Sequence, residues 1–208
     1  SNTFILSKGH ACLGHYCLLN ELNYFSNKKL ETYGRNNTIL MSHSSHKVPG
    51  VEISTGSLGH GLPIAAGVAL SFKIKKLKNK KVFVLMSDGE LNEGSNWESF
   101  LFVSHKNLNN LTIIIDYNKI QSLDFTNKTI KLEPLNKKFQ AFGFSVIDID
   151  GHSFPQIYKA LIQKTKKPKI IIANTVKGKG ISFMENKILW HYKSPDENEF
   201  KKGIEELS

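Results

Sequence analysis

Two patterns of apolar residues divide the chain. Before about residue 77 they recur at helical spacing, in "HACLGHYCLLNELNYF" (His10 to Phe25) and "LPIAAGVALSFKIKKL" (Leu62 to Leu77). From Lys81 onward they gather into short runs that favour β structure: "VFVLM" (Val82 to Met86), "LTIIID" (Leu111 to Asp116), "FSVIDI" (Phe144 to Ile149) and "KIIIAN" (Lys169 to Asn174). The segments between these runs, "SNWESFLFVSHKN" (Ser95 to Asn107) and "FPQIYKALIQKTK" (Phe154 to Lys166), read as helices. Near-continuous apolar strands alternating with helices predict an α/β fold: a doubly wound, mostly parallel sheet with helices on both faces. The stretch from Tyr33 to Gly61, rich in Gly, Ser, His and Asn, predicts a long loop. Loops of that length in compact domains usually carry function. No internal repeat, low-complexity tract or linker interrupts the chain, so residues 1–208 are expected to form a single domain.

Composition narrows the function classes. With 208 residues, 40% of them hydrophobic, the chain can bury a substantial core. No run reaches the roughly 18 apolar residues that a membrane span needs, so no membrane association is expected. Cys12 and Cys17 are too few for a disulfide framework or a zinc cage and point to free thiols in a cytoplasmic protein. A net charge of +10 raises the question of nucleic acid. Only one residue, Arg35, supplies the planar fork suited to phosphate and base recognition, and the lysines are scattered. The denser runs, Lys73 to Lys81 and Lys164 to Lys169, fall where helices give way to strands, so no nucleic-acid partner is expected.

In sheets of this class, ligands sit beyond the carboxyl ends of the strands. Those ends are Ser87-Asp88-Gly89, Tyr117-Asn118, Gly151-His152 and Lys177-Gly178. Asp88 offers a carboxylate and Asn118 an amide oxygen, hard ligands of the kind Mg²⁺ accepts in small number beside phosphate oxygens. Gly89 would let backbone N–H groups approach a phosphate at a helix start. A metal-bridged diphosphate is one reading of this pattern. The other is a turn in which Asp88 caps the following helix.

"SDGELNEG" followed by "IIIDYNKIQ" resembles the thiamine-diphosphate motif, a G-D-G box with an asparagine turn about thirty residues on. "LSKGHA" (Leu6 to Ala11), "VPGVEISTGSLGHGL" (Val48 to Leu62), "AFGF" (Ala141 to Phe144) and "TVKGKGISFMENKILWH" (Thr175 to His191) occur in the order of the amino-terminal domain of transketolase. Together they cover nearly the whole chain. The resemblance implies a thiamine-diphosphate-binding fold in which Asp88, Asn118 and the Ile120 carbonyl ligate Mg²⁺, or Ca²⁺ or Mn²⁺ in its place. It makes Gly89 the amide donor to the diphosphate, His10 a phosphate contact, and Gly56, Ser57 and Leu58 a loop meeting the cofactor. Glu93 matches a glutamate linking cofactor sites across the dimer. His43 and His191 match histidines at the reacting centre, where a pKa near neutrality suits proton transfer.

The chain departs from the family pattern at Ser87 (usually Gly), in "SHS" around His43 (usually "GHP") and at His60 (usually Gln). The family's upstream segment, with an early histidine, would precede Ser1. The chain's length suggests a split enzyme that is complete only with a second, C-terminal subunit carrying the pyrimidine-binding domain, in a dimer or heterotetramer. The implied activity is transfer of a two-carbon ketol unit between sugar phosphates, with thiamine diphosphate supplying the carbon–carbon chemistry. Two alternatives are another thiamine-dependent carbon–carbon ligase or lyase acting on an unusual sugar, and a scaffold subunit without turnover.

Overall fold

The computed structural model of the chain describes residues 2–208. In chain order the elements are β1 (Thr3–Leu6), α1 (Cys12–Glu21), α2 (Asn27–Leu30), α3 (Gly61–Ile74), β2 (Val82–Ser87), α4 (Gly94–His105), β3 (Leu111–Tyr117), α5 (Thr126–Thr129), α6 (Leu135–Ala141), β4 (Ser145–Asp150), α7 (Phe154–Ile162), β5 (Lys169–Asn174) and α8 (Glu197–Leu207). Single 3₁₀ turns span Gly9–Ala11, Gly89–Asn92 and Ile188–His191. The five strands form one sheet in the order β1-β2-β3-β5-β4, and every neighbouring pair is parallel.

This order follows from handedness. Steps from β1 through β2 and β3 to β4 run across the sheet in one direction, and right-handed crossovers place α3, α4 and α6 on one face. The step from β4 back to β5 reverses direction, so α7 lies on the opposite face. Alternating residues serve the two layers. Val82, Val84, Met86, Leu111, Ile113, Ile115, Ile170 and Ile172 point into the main core with α3, α4 and α6, while Ile149, Ile171 and Ala173 pack with Ala160 of α7. Over β1 to β3 that second face holds a groove of about 500 Å³ touching Phe4, Phe83, Ile114 and Leu161.

The main core closes around Phe100 of α4. It is fully buried, and its ring lies 5.0 to 6.5 Å from those of Trp97, Phe139, Phe142 and Phe144. Phe100→Ala is therefore expected to cost about 3–5 kcal/mol of unfolding free energy. Urea denaturation would check this, and a loss under about 1 kcal/mol would mean that the rings collapse to refill the space.

The predicted strands and the helices α3, α4 and α7 stand within a few residues of their expected places. The helix expected from His10 to Phe25 is shorter. Its first residues form the Gly9–Ala11 turn, α1 starts at Cys12, and Asn23 ends the run with a φ of 62°. The sequence pattern does not anticipate β1, α2, α5, α6 or α8. The last of these begins with a capping box between Asp196 and Glu199. From residue 31 to residue 60 there is neither helix nor strand, as expected of the long loop. That loop has an apolar centre of its own, in which Leu40, Val48 and Val51 pack on Cys12, Tyr16 and Leu19 of α1. Among the described residues no helix is long and apolar enough to cross a membrane.

Candidate functional site

The parallel register sets the ends of β2 and β3 side by side, with Ser87 opposite Asp116 and the Asp88 N–H donating to the Asp116 carbonyl at 3.2 Å. Asp88 is 1% exposed. Its Oδ1 accepts from the Gly89 N–H at 2.7 Å and its Oδ2 from the Lys119 N–H at 2.5 Å. Burial pushes its carboxyl up to about 6 against the pull of those two amides. Asn118 accepts the Ile120 N–H at 3.0 Å through Oδ1, and its side-chain amide donates to Asp116. These two bonds fix which way its amide faces. The oxygen keeps one lone pair free.

Asp116 is engaged differently. Lys8 forms a salt bridge with its Oδ2, and the Thr175 hydroxyl donates to its Oδ1. Burial alone would raise the Asp116 carboxyl. The Lys8 charge and these hydrogen bonds outweigh it, and the net shift is downward. Asp116 is thus neutralised internally, whereas Asp88 has no salt-bridge partner among the described residues.

A cleft of about 330 Å³ opens over these strand ends, with Asp88, Asn118 and Ile120 on its floor and Lys8, His10, Lys177 and His191 among its walls. The His10 and His191 rings face each other at 5.5 Å. Burial, then the Lys8 charge, lowers His10 to about 4. Burial, then Lys177 and Lys8, lowers His191 as well. Both imidazoles are neutral at neutral pH and act as N–H donors, so the positive charge of the cleft comes from the two lysines. Burial lowers Lys177, a shift that an incoming anion would reverse. The His191 Nδ1 and Gln121 Nε2 atoms are buried without a hydrogen-bond partner, and both residues line the cleft.

These features fit a metal-bridged diphosphate. No group of three or more His, Cys, Asp or Glu side chains among the described residues could cage a metal ion. Asp88, Asn118 and the Ile120 carbonyl are an incomplete oxygen set of the kind that Mg²⁺ completes with phosphate oxygens and water. The lysines, the imidazole N–H groups and the unpartnered atoms are complementary to an anion. Close packing holds the walls together: a Cβ at Gly9 would lie 2.6 Å from the Thr55 carbonyl oxygen. Only glycine lets the His10 turn approach the long loop this closely.

The structure brings His10, Leu58, Asp88, Gly89, Asn118, Ile120 and His191 to one cleft, as expected from the sequence. It leaves four expected residues outside that lining. Gly56 packs against the His43 ring, where a Cβ would lie 3.2 Å from the imidazole, and Ser57 belongs to the same loop. His43 is exposed, yet it lies close enough to bear on the charge of His10. Glu93 is exposed at the start of α4 and makes no side-chain cap bond. The Gly89 N–H, expected to face a phosphate at a helix start, donates to Asp88 and opens a 3₁₀ turn instead. Three cleft residues escape the sequence pattern: Lys8, Lys177 and Trp190. The apolar Phe4 to Leu6 run ahead of Ser7-Lys8 is the available signal for the first, because it makes Lys8 another strand-end residue.

A family profile described as "Transketolase, thiamine diphosphate binding domain" matches residues 1–206. One of the two chains of the apulose-4-phosphate transketolase of Actinobacillus succinogenes is 45% identical over 98% of this chain and 75% of its own length. The 6-deoxy-6-sulfo-D-fructose transketolase subunit SqwG of a Clostridium species is 38% identical over 98% of this chain and 75% of its own. The crystal structure of transketolase from Campylobacter jejuni superposes with a TM-score of 0.93 at 31% identity, over 99% of this chain. The chain spans 34% of the length of that transketolase. On the family match and these identities, the chain belongs to the transketolase family and comprises its thiamine diphosphate binding domain.

Proposed function

We propose that this chain is the cofactor-diphosphate subunit of a split transketolase acting in the cytoplasm. In a dimer or heterotetramer with a partner chain that carries the pyrimidine-binding domain, it transfers a two-carbon ketol unit between sugars. The observation that carries the reading is the convergence of Asp88 and Asn118 with Lys8, Lys177, His10 and His191 in one cleft at the carboxyl ends of the strands. Asp88, the Asn118 oxygen and the Ile120 carbonyl would hold Mg²⁺, a site that Ca²⁺ or Mn²⁺ could also fill. The Gly89 amide, His10, His191 and the Gly56-Ser57-Leu58 loop would hold thiamine diphosphate, with Lys8 and Lys177 offsetting its negative charge. Bound there, the cofactor supplies the electron sink for carbon–carbon cleavage.

This chain's own residues orient and protonate. His191, between cofactor and substrate, and His43, on the long loop, would exchange protons with substrate hydroxyls as neutral imidazoles. Glu93, exposed beside the cleft loop, would meet the partner's site. Two of the relatives are named for a phosphorylated and a sulfonated sugar. A sugar bearing a terminal anionic group is accordingly the substrate class.

The test is reconstitution with a candidate partner chain, followed by the formation of ketol-transfer products from phosphorylated ketoses in the presence of thiamine diphosphate and Mg²⁺. Activity that needs both chains and is lost on chelation is the expected result. A complex that binds no thiamine diphosphate would overturn the reading.

A further inference from the structure

The cleft walls come from three separate segments: the Ser7 to His10 turn after β1, the Gly56 to His60 loop before α3, and the end of β2 at Ser87-Asp88. One side chain touches all three. Glu90, in the turn after Asp88, is fully buried. Its Oε1 accepts the Ser7 hydroxyl at 2.5 Å and the Gly59 N–H at 3.0 Å. Its Oε2 accepts the Ser87 N–H at 3.4 Å. From the same residue, the backbone carbonyl accepts the Asn96 amide at 2.6 Å and ties this junction to α4.

Nothing in the cofactor reading uses Glu90. It does not line the cleft, and no salt bridge reaches it among the described residues. A buried carboxylate is costly unless every lone pair is well used, and here three donors converge on it from elements far apart in sequence. The packing around it leaves little slack. A Cβ at Gly61 would lie 2.2 Å from the Ser7 Oγ, and one at Gly59 would lie 2.6 Å from the Ser95 Oγ. Ser7, Gly59 and Ser87 therefore have few alternative positions while the carboxylate is in place. Each is the near neighbour of a cleft residue: Lys8, Leu58 and Asp88 respectively.

We infer that Glu90 is a positioning residue that sets the spacing of the cleft's three walls, so that the cations of the first wall and the Asp88 carboxylate of the third face one diphosphate. The inference rests on the cofactor reading for the identity of the ligand, but the knot itself exists without ligand.

Glu90→Gln keeps the shape and turns an amide N–H₂ towards donors that need an acceptor. Two measurements on the full chain separate the outcomes. In ligand-free protein, hydrogen exchange at the Gly59 amide is expected to accelerate at least tenfold in Glu90→Gln. Unchanged exchange would overturn the knot, whatever the ligand. In calorimetry with Mg²⁺ and thiamine diphosphate, or with inorganic pyrophosphate in its place, Glu90→Gln is expected to bind at least tenfold more weakly than wild type. Val103→Ala in the distant core, matched for lost thermal stability, is expected to bind as wild type does. Wild-type affinity in Glu90→Gln would overturn the positioning role, as would an equal loss in the core variant. Failure of wild type itself to bind either probe would instead sink the cofactor reading, and the exchange result would still stand on its own. If Glu90→Gln does not fold, Ser7→Ala removes one of the three donors, and unchanged affinity there would overturn the inference.

Discussion

Asp88→Ala is expected to abolish metal-dependent binding of thiamine diphosphate. Outer-shell partners of a metal typically matter by about 10–100-fold in affinity, and Asp88 is the one carboxylate among the three proposed ligands, so its loss should exceed that range. Titration calorimetry with Mg²⁺ present checks this, and an Asp88→Ala chain that binds like wild type would sink the metal site. The same carboxyl sets a pH dependence. Its folded pKa of about 6 lies above its ordinary value of 3.8 because burial disfavours the charged form. A metal ion must displace a proton from it below that value. Affinity should then fall roughly tenfold per pH unit as pH drops below about 6. Without ligand the sign reverses. A raised carboxyl favours the folded state most when protonated, so the ligand-free chain should gain stability as pH is lowered from about 6 towards 4. Opposite slopes for binding and for ligand-free stability are the signature to seek.

Lys8→Met is expected to destabilise the fold by about 3–5 kcal/mol, the usual cost of leaving one half of a buried pair without its partner. The Lys8 and Asp116 side chains are only 11% and 23% exposed, so solvent does little to screen them. Asp116 would stay hydrogen-bonded to Thr175 and Asn118 but would face Asp88 without a cation between them. Chemical denaturation at neutral pH measures the loss, and a midpoint equal to wild type would mean that the pair is energetically neutral. The pH dependence again has a definite sign. Asp116 is depressed in the folded chain, so its contribution is present above the ordinary carboxylate pKa and disappears as pH falls below about 4. The gap between wild type and Lys8→Met should therefore close at acid pH.

What could be read from the sequence had a local cause. "VFVLM", "LTIIID" and "KIIIAN" are strands because strands buried on both faces need apolar residues at almost every position, and that pattern lies within a few residues of chain. The meeting of Asp88 and Asn118 was legible for the same reason: one strand–helix–strand repeat separates them, which returns the chain to the same edge. The four-residue β1 was too short to stand out, and Lys8 was missed with it. The seating of β5 between β3 and β4 depends on the direction of a crossover, which no periodicity records. Glu90 read as one more acid in an acidic turn, because its three donors arrive from residues 7, 59 and 87. Side chains whose partners are all distant in sequence leave no local trace. The placement of His43 outside the cleft lining, with its ring against Gly56, is another contact of this kind.

The long loop's separate apolar centre bears on how the chain would breathe. Leu40, Val48 and Val51 are anchored to α1 through Cys12, Tyr16 and Leu19, and the Tyr16 hydroxyl donates to the His43 carbonyl at 3.0 Å. This cluster shares no residue with the core under the sheet. Such a unit can open as a cooperative piece while the sheet stays shut. Substrate could then be admitted and released by the melting of one small foldon, and amino-acid changes in the loop could alter sugar preference at little cost to the stability of the metal-bearing strands.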